Sequence, residues 1–117
     1  MPKPNFTVCA EFHRAIELIG RRWTGIIVQV LMRGRMRYCD IRAALPQVSD
    51  RMLSERLREL EAVAIVLRTV TPDTPVKVEY ELTEKGRALD RALAAVADWA
   101  EAWKDRPASS GGESAVA

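Results

Sequence analysis

The segment VSDRMLSERLRELEAVAIVLRTVTPDTPVKVEYELTEKGRAL, residues 48–89, imposes an order on any fold that contains it. It reads as a capped amphipathic helix, two β-rich runs joined by a proline-bearing turn, and a second helix. Ser49 is placed to accept from the orphan amides of the first helix, and Asp50 in its first turn suits the positive end of the helix dipole. Leu53, Leu57, Leu60 and Val63 recur at intervals of three and four and form an apolar stripe. The opposite face carries Arg51, Ser54, Glu55 and Arg58, which project together; Glu55 is better read as a partner for Arg51 one turn away than as a reader of bases. The prolines of TPDTP exclude a helix interior and suit a hairpin tip between AIVLRTV and VKVEYEL. Thr83 then caps EKGRALDRALAAVADWAEAWKD, where Leu89, Leu93, Val96, Ala100 and Trp103 make a seam in steps of four and three.

Upstream, AEFHRAIELIG places Phe12, Ala15, Ile16 and Ile19 at helical spacing and stops at Gly20, a residue suited to a left-handed C-terminal position. RRWTGIIVQVLMRG repeats the pattern with Trp23, Ile26, Ile27, Val30 and Leu31, predicts a buried helix, and ends at Gly34. RMRYCDIRAALPQV reads as a brief extended piece and a short helix closed by Pro46, because the α region is disfavoured for the preceding Leu45. Helix, helix, short helix, capped helix, hairpin, helix is the order of a winged helix-turn-helix: mainly α with a small β-hairpin wing, an α+β fold. With 48% hydrophobic and 29% charged residues in 117, one domain is expected. It spans 9–105, between an arm at 1–8 and a small, polar tail at 106–117.

The apolar runs fall short of the roughly 18–20 residues a membrane span needs, and the N-terminus lacks the apolar core and cleavage site of an export signal. A cytoplasmic protein without membrane contact is expected, with Cys9 and Cys39 as free thiols. Between residues 33 and 58 charge is concentrated: Arg33, Arg35, Arg37, Arg42, Arg51, Arg56 and Arg58 stand against Asp40, Asp50 and Glu55. The major groove of B-DNA admits an α-helix, and donors near the start of that helix reach base edges. Arg51 and Arg58 are therefore candidates for guanine or phosphate and Ser54 is an adaptable contact. Arg37, Ser49 and Met52 complete the set around the helix start, and Lys77 on the wing suits a backbone or minor groove. The competing reading is a winged-helix domain used for protein contact, with a merely solvated basic face.

Enzyme chemistry finds no support. His13 is the single histidine, neither cysteine has a motif-level partner, and no glycine-rich phosphate cradle is present. Cys9 and His13, one turn apart, are two ligands where a tetrahedral metal site needs four, so neither metal nor cofactor is expected. Thiolate chemistry is the available input for a regulator without a separate ligand-binding domain, through Cys9 or through Cys39, which sits where the amides of the third helix begin. The alternative for each is a small residue in the core. A homodimer is expected to bury Phe6, Phe12, Ile16, Leu89, Leu93, Val96, Trp99 and Trp103.

Over residues 9–104 the sequence resembles the HxlR-type family of bacterial winged-helix transcription regulators, relatives of the MarR group. The resemblance is carried by IGRRWT, by SDRMLSERLREL and by PDTPVKVEYELTEKG. It implies a homodimer with its interface on the terminal helices, whose two recognition helices read a pseudo-palindromic promoter site. It also implies Ser49, Arg51, Ser54 and Arg58 on the reading helix and Lys77 on the wing; the two thiols separately leave a small-molecule or electrophile effector as a candidate partner. Three features depart from the family pattern. Gly25 replaces a usual leucine, Ala64 replaces a common glycine, and the Cys9-to-Trp23 spacing is one residue longer than in members with a sensory cysteine.

Overall fold

Ser49 opens the central helix, its hydroxyl oxygen accepting from the Met52 amide at 3.1 Å. In this computed structural model, which describes residues 9–105, that helix is flanked by the elements its sequence order requires. In chain order they are α1 (Ala10–Ile19), α2 (Thr24–Leu31), β1 (Met36–Arg37), α3 (Tyr38–Ala44), α4 (Asp50–Ala62), β2 (Val66–Thr71), β3 (Lys77–Leu82) and α5 (Glu84–Trp103). The expected arm and tail, with Phe6, lie outside the described residues. The wing hairpin β2–β3 belongs to a three-stranded antiparallel sheet, order β1-β3-β2. The brief extended piece before α3 supplies the third strand, pairing Met36 with Tyr80 and Arg37 with Glu79.

The core follows from the stripes. Leu53, Leu57 and Leu60 of α4 pack with Ile27, Val28, Val30 and Leu31 of α2, with Ile41 of α3, and with Ile65, Val66 and Leu82 at the base of the wing. Val63, at the end of the predicted stripe, is exposed, and so is Ile26 of α2. Both lie past the edge of the buried arc, which is narrower than the run of apolar residues in sequence. Gly20 ends α1 with φ −81°, in the right-handed region, so the left-handed closure expected there does not occur. Gly20 serves instead by what it lacks, since a Cβ would sit 2.9 Å from the Ile16 carbonyl oxygen.

Left-handed backbone appears at Ala64, φ 63°, where α4 turns into the wing. The Ala64 amide donates to the Glu61 carbonyl at 3.0 Å and the Ile65 amide to the Leu60 carbonyl at 2.9 Å. These two bonds close a Schellman motif, and the buried Leu60 and Ile65 supply its apolar contact. The wing therefore keeps its geometry although alanine carries a Cβ into a region that disfavours it by roughly 1–2 kcal/mol. Ala64→Gly relieves that strain and gives back part of it in unfolded-state entropy. Urea unfolding is expected to show a gain of about 0.5–1 kcal/mol; a loss would mean that the alanine methyl makes a contact worth more than its strain.

Candidate nucleic-acid interface

Two residues of α3 grip the first turn of α4. The Tyr38 hydroxyl donates to the Asp50 carboxylate at 2.8 Å and lies 3.2 Å from the Ser54 hydroxyl. Arg42 Nε stands 2.8 Å from the same carboxylate, while its terminal nitrogen donates to the Val48 carbonyl at 2.7 Å. Asp50 is thus held from both sides, and the angle between α3 and α4 is set by charge-assisted bonds as well as packing. Burial pushes the Tyr38 phenol above its ordinary pKa; the Ser54 contact opposes this and Asp50 adds to it. The hydroxyl stays a donor at neutral pH.

These contacts sort the basic residues. Arg42 is held by Asp50; Arg35 reaches Glu79 and Glu81 at 3.6 Å; Arg51 reaches Glu55 at 3.7 Å, the pairing the helical spacing favours. Arg56, part of the basic surplus in the sequence, is only 8% exposed. It donates to the Arg22 carbonyl at 2.9 Å and to Glu59 at 3.1 Å, so it faces the turn between α1 and α2 and away from the exposed side of α4. Arg37, Arg58 and Arg68 have no ion-pair partner among the described residues. Arg51, Ser54 and Arg58 follow one face of α4, Ser54 half-buried and the arginines exposed. Arg37 caps α3, and Lys77 opens β3 opposite Thr71 at the wing's outer end. Ser49 is committed to its cap, and Met52 is half-buried against the core. Arg68 was not among the residues the sequence singled out; its signal was its place in the pleat, two residues on from the buried Val66.

A second surface lies along the terminal helices. Along α1 and α5, Phe12, Ile16, Val96, Trp99 and Trp103 are 45–66% exposed. Beside them runs an apolar groove of about 760 Å³ between the two helices, lined by Leu18, Ile19, Leu89 and Ala92. Leu89 is half-buried in it. Leu93 differs from the interface role expected of it: it is 8% exposed and belongs to the protomer's own core, where α2 comes close to it at Gly25. Both cysteines are exposed, which removes the core reading for each. The Cys9 thiol donates to Glu11 at 3.1 Å and draws that carboxyl below its usual range. His13 lies 3.4 Å from Glu17 on the same helix.

This geometry can be set beside known proteins. The HxlR-like helix-turn-helix family matches residues 18–108, most of the chain. The chain belongs to this family. The Bacillus subtilis HTH-type transcriptional regulator YvaP is 46% identical over 98 residues, covering 84% of this chain and 91% of the relative. YodB of the same organism is 47% identical over 95 residues, covering 81% and 85%. The reduced form of YodB superposes with a TM-score of 0.77 at 44% identity, covering 85% of this chain and 97% of that one, and YodB has also been solved diamide-treated and quinone-bound. The redox regulator HypR in its reduced form gives 0.77 at 38% identity, covering 82% and 95%. The HxlR-like chain is thus a winged-helix transcriptional regulator, with α3 and α4 as its helix-turn-helix and β2–β3 as its wing. Its described residues contain no helix long and apolar enough to cross a membrane.

Proposed function

We propose that this HxlR-like regulator binds a pseudo-palindromic promoter site as a homodimer in the cytoplasm. Each α4 enters a major groove and each wing lies over the flanking backbone or minor groove. The observation that carries the reading is the sorting of charge. Arg42 and Arg56, which tie helices together, are paired with Asp50 and Glu59, while among the described residues Arg37 and Arg58 have no ion-pair partner at the helix-turn-helix surface, beside Ser54 and the exposed Arg51. DNA supplies phosphates and guanine edges for such groups. The dimer reading rests on α5. Its buried residues are Gly86 and Leu93, Val96 and Trp99 further along it are 53% and 66% exposed, and the 18.3 Å radius of gyration well exceeds the roughly 13 Å of a compact domain this size. Exposed thiols at Cys9, and secondarily Cys39, suit an oxidant or electrophile input, a reading supported by the solved forms of YodB and HypR.

The test is binding of the reduced protein to DNA upstream of its own gene, with competitor DNA, before and after diamide or a quinone. Specific binding that weakens steeply with salt and is lost on oxidation, and that persists under oxidant in Cys9→Ser, is expected. Salt-insensitive binding, or none that survives competitor, would turn the reading toward a protein-interaction module. Trp99→Glu, which puts a charge into the proposed interface, is expected to halve the mass seen by light scattering and weaken specific binding at least about tenfold. A Trp99→Glu protein that remains dimeric would remove α5 from the interface.

A further inference from the structure

Between α4 and the wing lies a polar cleft of about 340 Å³, lined by Ser54, Arg58, Glu61, Arg68 and Tyr80. Ser54, Arg58 and Glu61 are spaced four and three apart, so one side of the cleft is a single helix face. The other side is the pleat of the wing. Val66, Arg68 and Val70 share one face of β2 by the period of two, and Val66 is buried in the core. Arg68 therefore sits on the core-facing side of the strand, one step beyond where the core ends, and directly opposite the buried Tyr80 on β3. Arg58 and Arg68 are both exposed, and within the protein the natural partner for either would be a carboxylate. Here neither Arg58 nor Arg68 has one within ion-pair distance among the described residues, although Glu61 lines the same cleft. Two guanidinium charges against one carboxylate leave the cleft cationic. Its volume is about ten times a water molecule's share of liquid, roughly 30 Å³, which is room for a phosphate group with bridging waters.

We propose that Arg58 and Arg68 clamp one backbone phosphate of the bound DNA in each half-site, the recognition helix supplying one guanidinium and the wing the other. The inference rests on the DNA-binding reading above and deepens it. Arg58 is assigned to the backbone and not to guanine, and Arg68 joins the interface. Guanidinium groups match phosphate oxygens with paired donors, and two of them converging from different elements fix the wing's angle to the helix at the moment of binding. Base reading is left to Arg51 and Ser54, nearer the start of α4.

The experiment uses the whole protein and the DNA fragment that the reduced wild type binds specifically, synthesised with one neutral methylphosphonate at a time along each strand. Wild type is expected to lose about tenfold in affinity at one phosphate per half-site. Arg58→Ala and Arg68→Ala should each weaken binding alike on specific and competitor DNA and lower the salt slope by about 1 for each phosphate no longer neutralised. The double variant Arg58→Ala/Arg68→Ala should be little worse than either single one, because both disable the same clamp, and should no longer sense the methylphosphonate at that position. Thermal melts within a few degrees of wild type show that the variants are folded. The clamp is overturned if the two single variants become insensitive at different phosphates, if Arg68→Ala binds as wild type does, or if Arg58→Ala relaxes selection at one base pair. A wild type that forms no specific complex with any fragment overturns the DNA-binding reading itself.

Discussion

Gly86→Ala is expected to lower stability by about 3 kcal/mol and the melting temperature by more than about 10 °C at fixed protomer concentration. By helix propensity alone the change should help by about 1 kcal/mol, since Gly86 lies in the first turn of α5. Sterics decide the sign. A Cβ at Gly86 would collide with the Ile65 carbonyl oxygen and press on Leu82 Cδ2 at 3.0 Å and Ile65 Cγ2 at 3.1 Å. That carbonyl is not free to move. It accepts from the Thr83 amide at 3.0 Å and from the Thr83 hydroxyl at 3.2 Å, and the Gly86 amide in turn donates to the Thr83 hydroxyl at 3.1 Å. Gly25→Ala is the matched control. A Cβ there meets only Leu93 Cδ2 at an ordinary 3.8 Å, so this variant is expected to gain about 1 kcal/mol. A Gly86→Ala protein that melts at or above wild type would show that the α4-to-wing joint is looser than its hydrogen bonds imply.

Arg56→Ala is expected to cost about 3 kcal/mol in urea unfolding, the second large effect. Its side chain is buried, with the guanidinium bonded to the Arg22 carbonyl and to Glu59, and Glu59 is also held by Arg21 at 3.0 Å. Truncation leaves the carbonyl without this donor, strips Glu59 of one of its two cations and opens a void under α4. Arg56→Lys should recover only part of the loss, because an ammonium cannot address both acceptors with the planar fork. The distinguishing readout is DNA affinity under conditions where the variant is folded. A residue that faces the α1–α2 turn leaves the salt slope unchanged, and a slope lowered by 1 or more would put Arg56 on the DNA instead.

Arg56 also marks where sequence reasoning stops. The caps at Ser49 and Thr83, the leucine stripe of α4 and the turn at TPDTP were legible because each is a local signal with its own period or stereochemistry. The count of basic residues treated every arginine as surface. Yet Arg56 lies three residues after Leu53 and four before Leu60, within the buried arc, and only the positions of Arg22 and Glu59 reveal that its charge is satisfied there. β1 was legible only as a brief extended piece and not as a strand of the sheet, because two residues cannot display an alternation. Leu93 left the expected interface because Gly25, on another helix, lets α2 approach it, a contact between residues far apart in sequence. Arg68 combined both difficulties. The pleat gave its direction, but α4 had to be in place before that direction meant a cleft.

The hydroxyl of Thr83 shares its proton between the carbonyls of Ala64 and Ile65, just past the end of α4, and accepts from the amide of Gly86 in the first turn of α5. Lys85 adds a bond to the Val63 carbonyl at 2.7 Å. Mechanically this is a welded elbow and not a swivel. The 20-residue α5, some 30 Å long, then behaves as a lever arm whose short end is fixed to the reading head. A tilt of a few degrees imposed at its far end, where two protomers would meet, is carried to both heads without loss in a flexible joint. Because half-sites recur at fixed spacing along the duplex, a mismatch of a few ångströms in the span between heads suffices to unseat them.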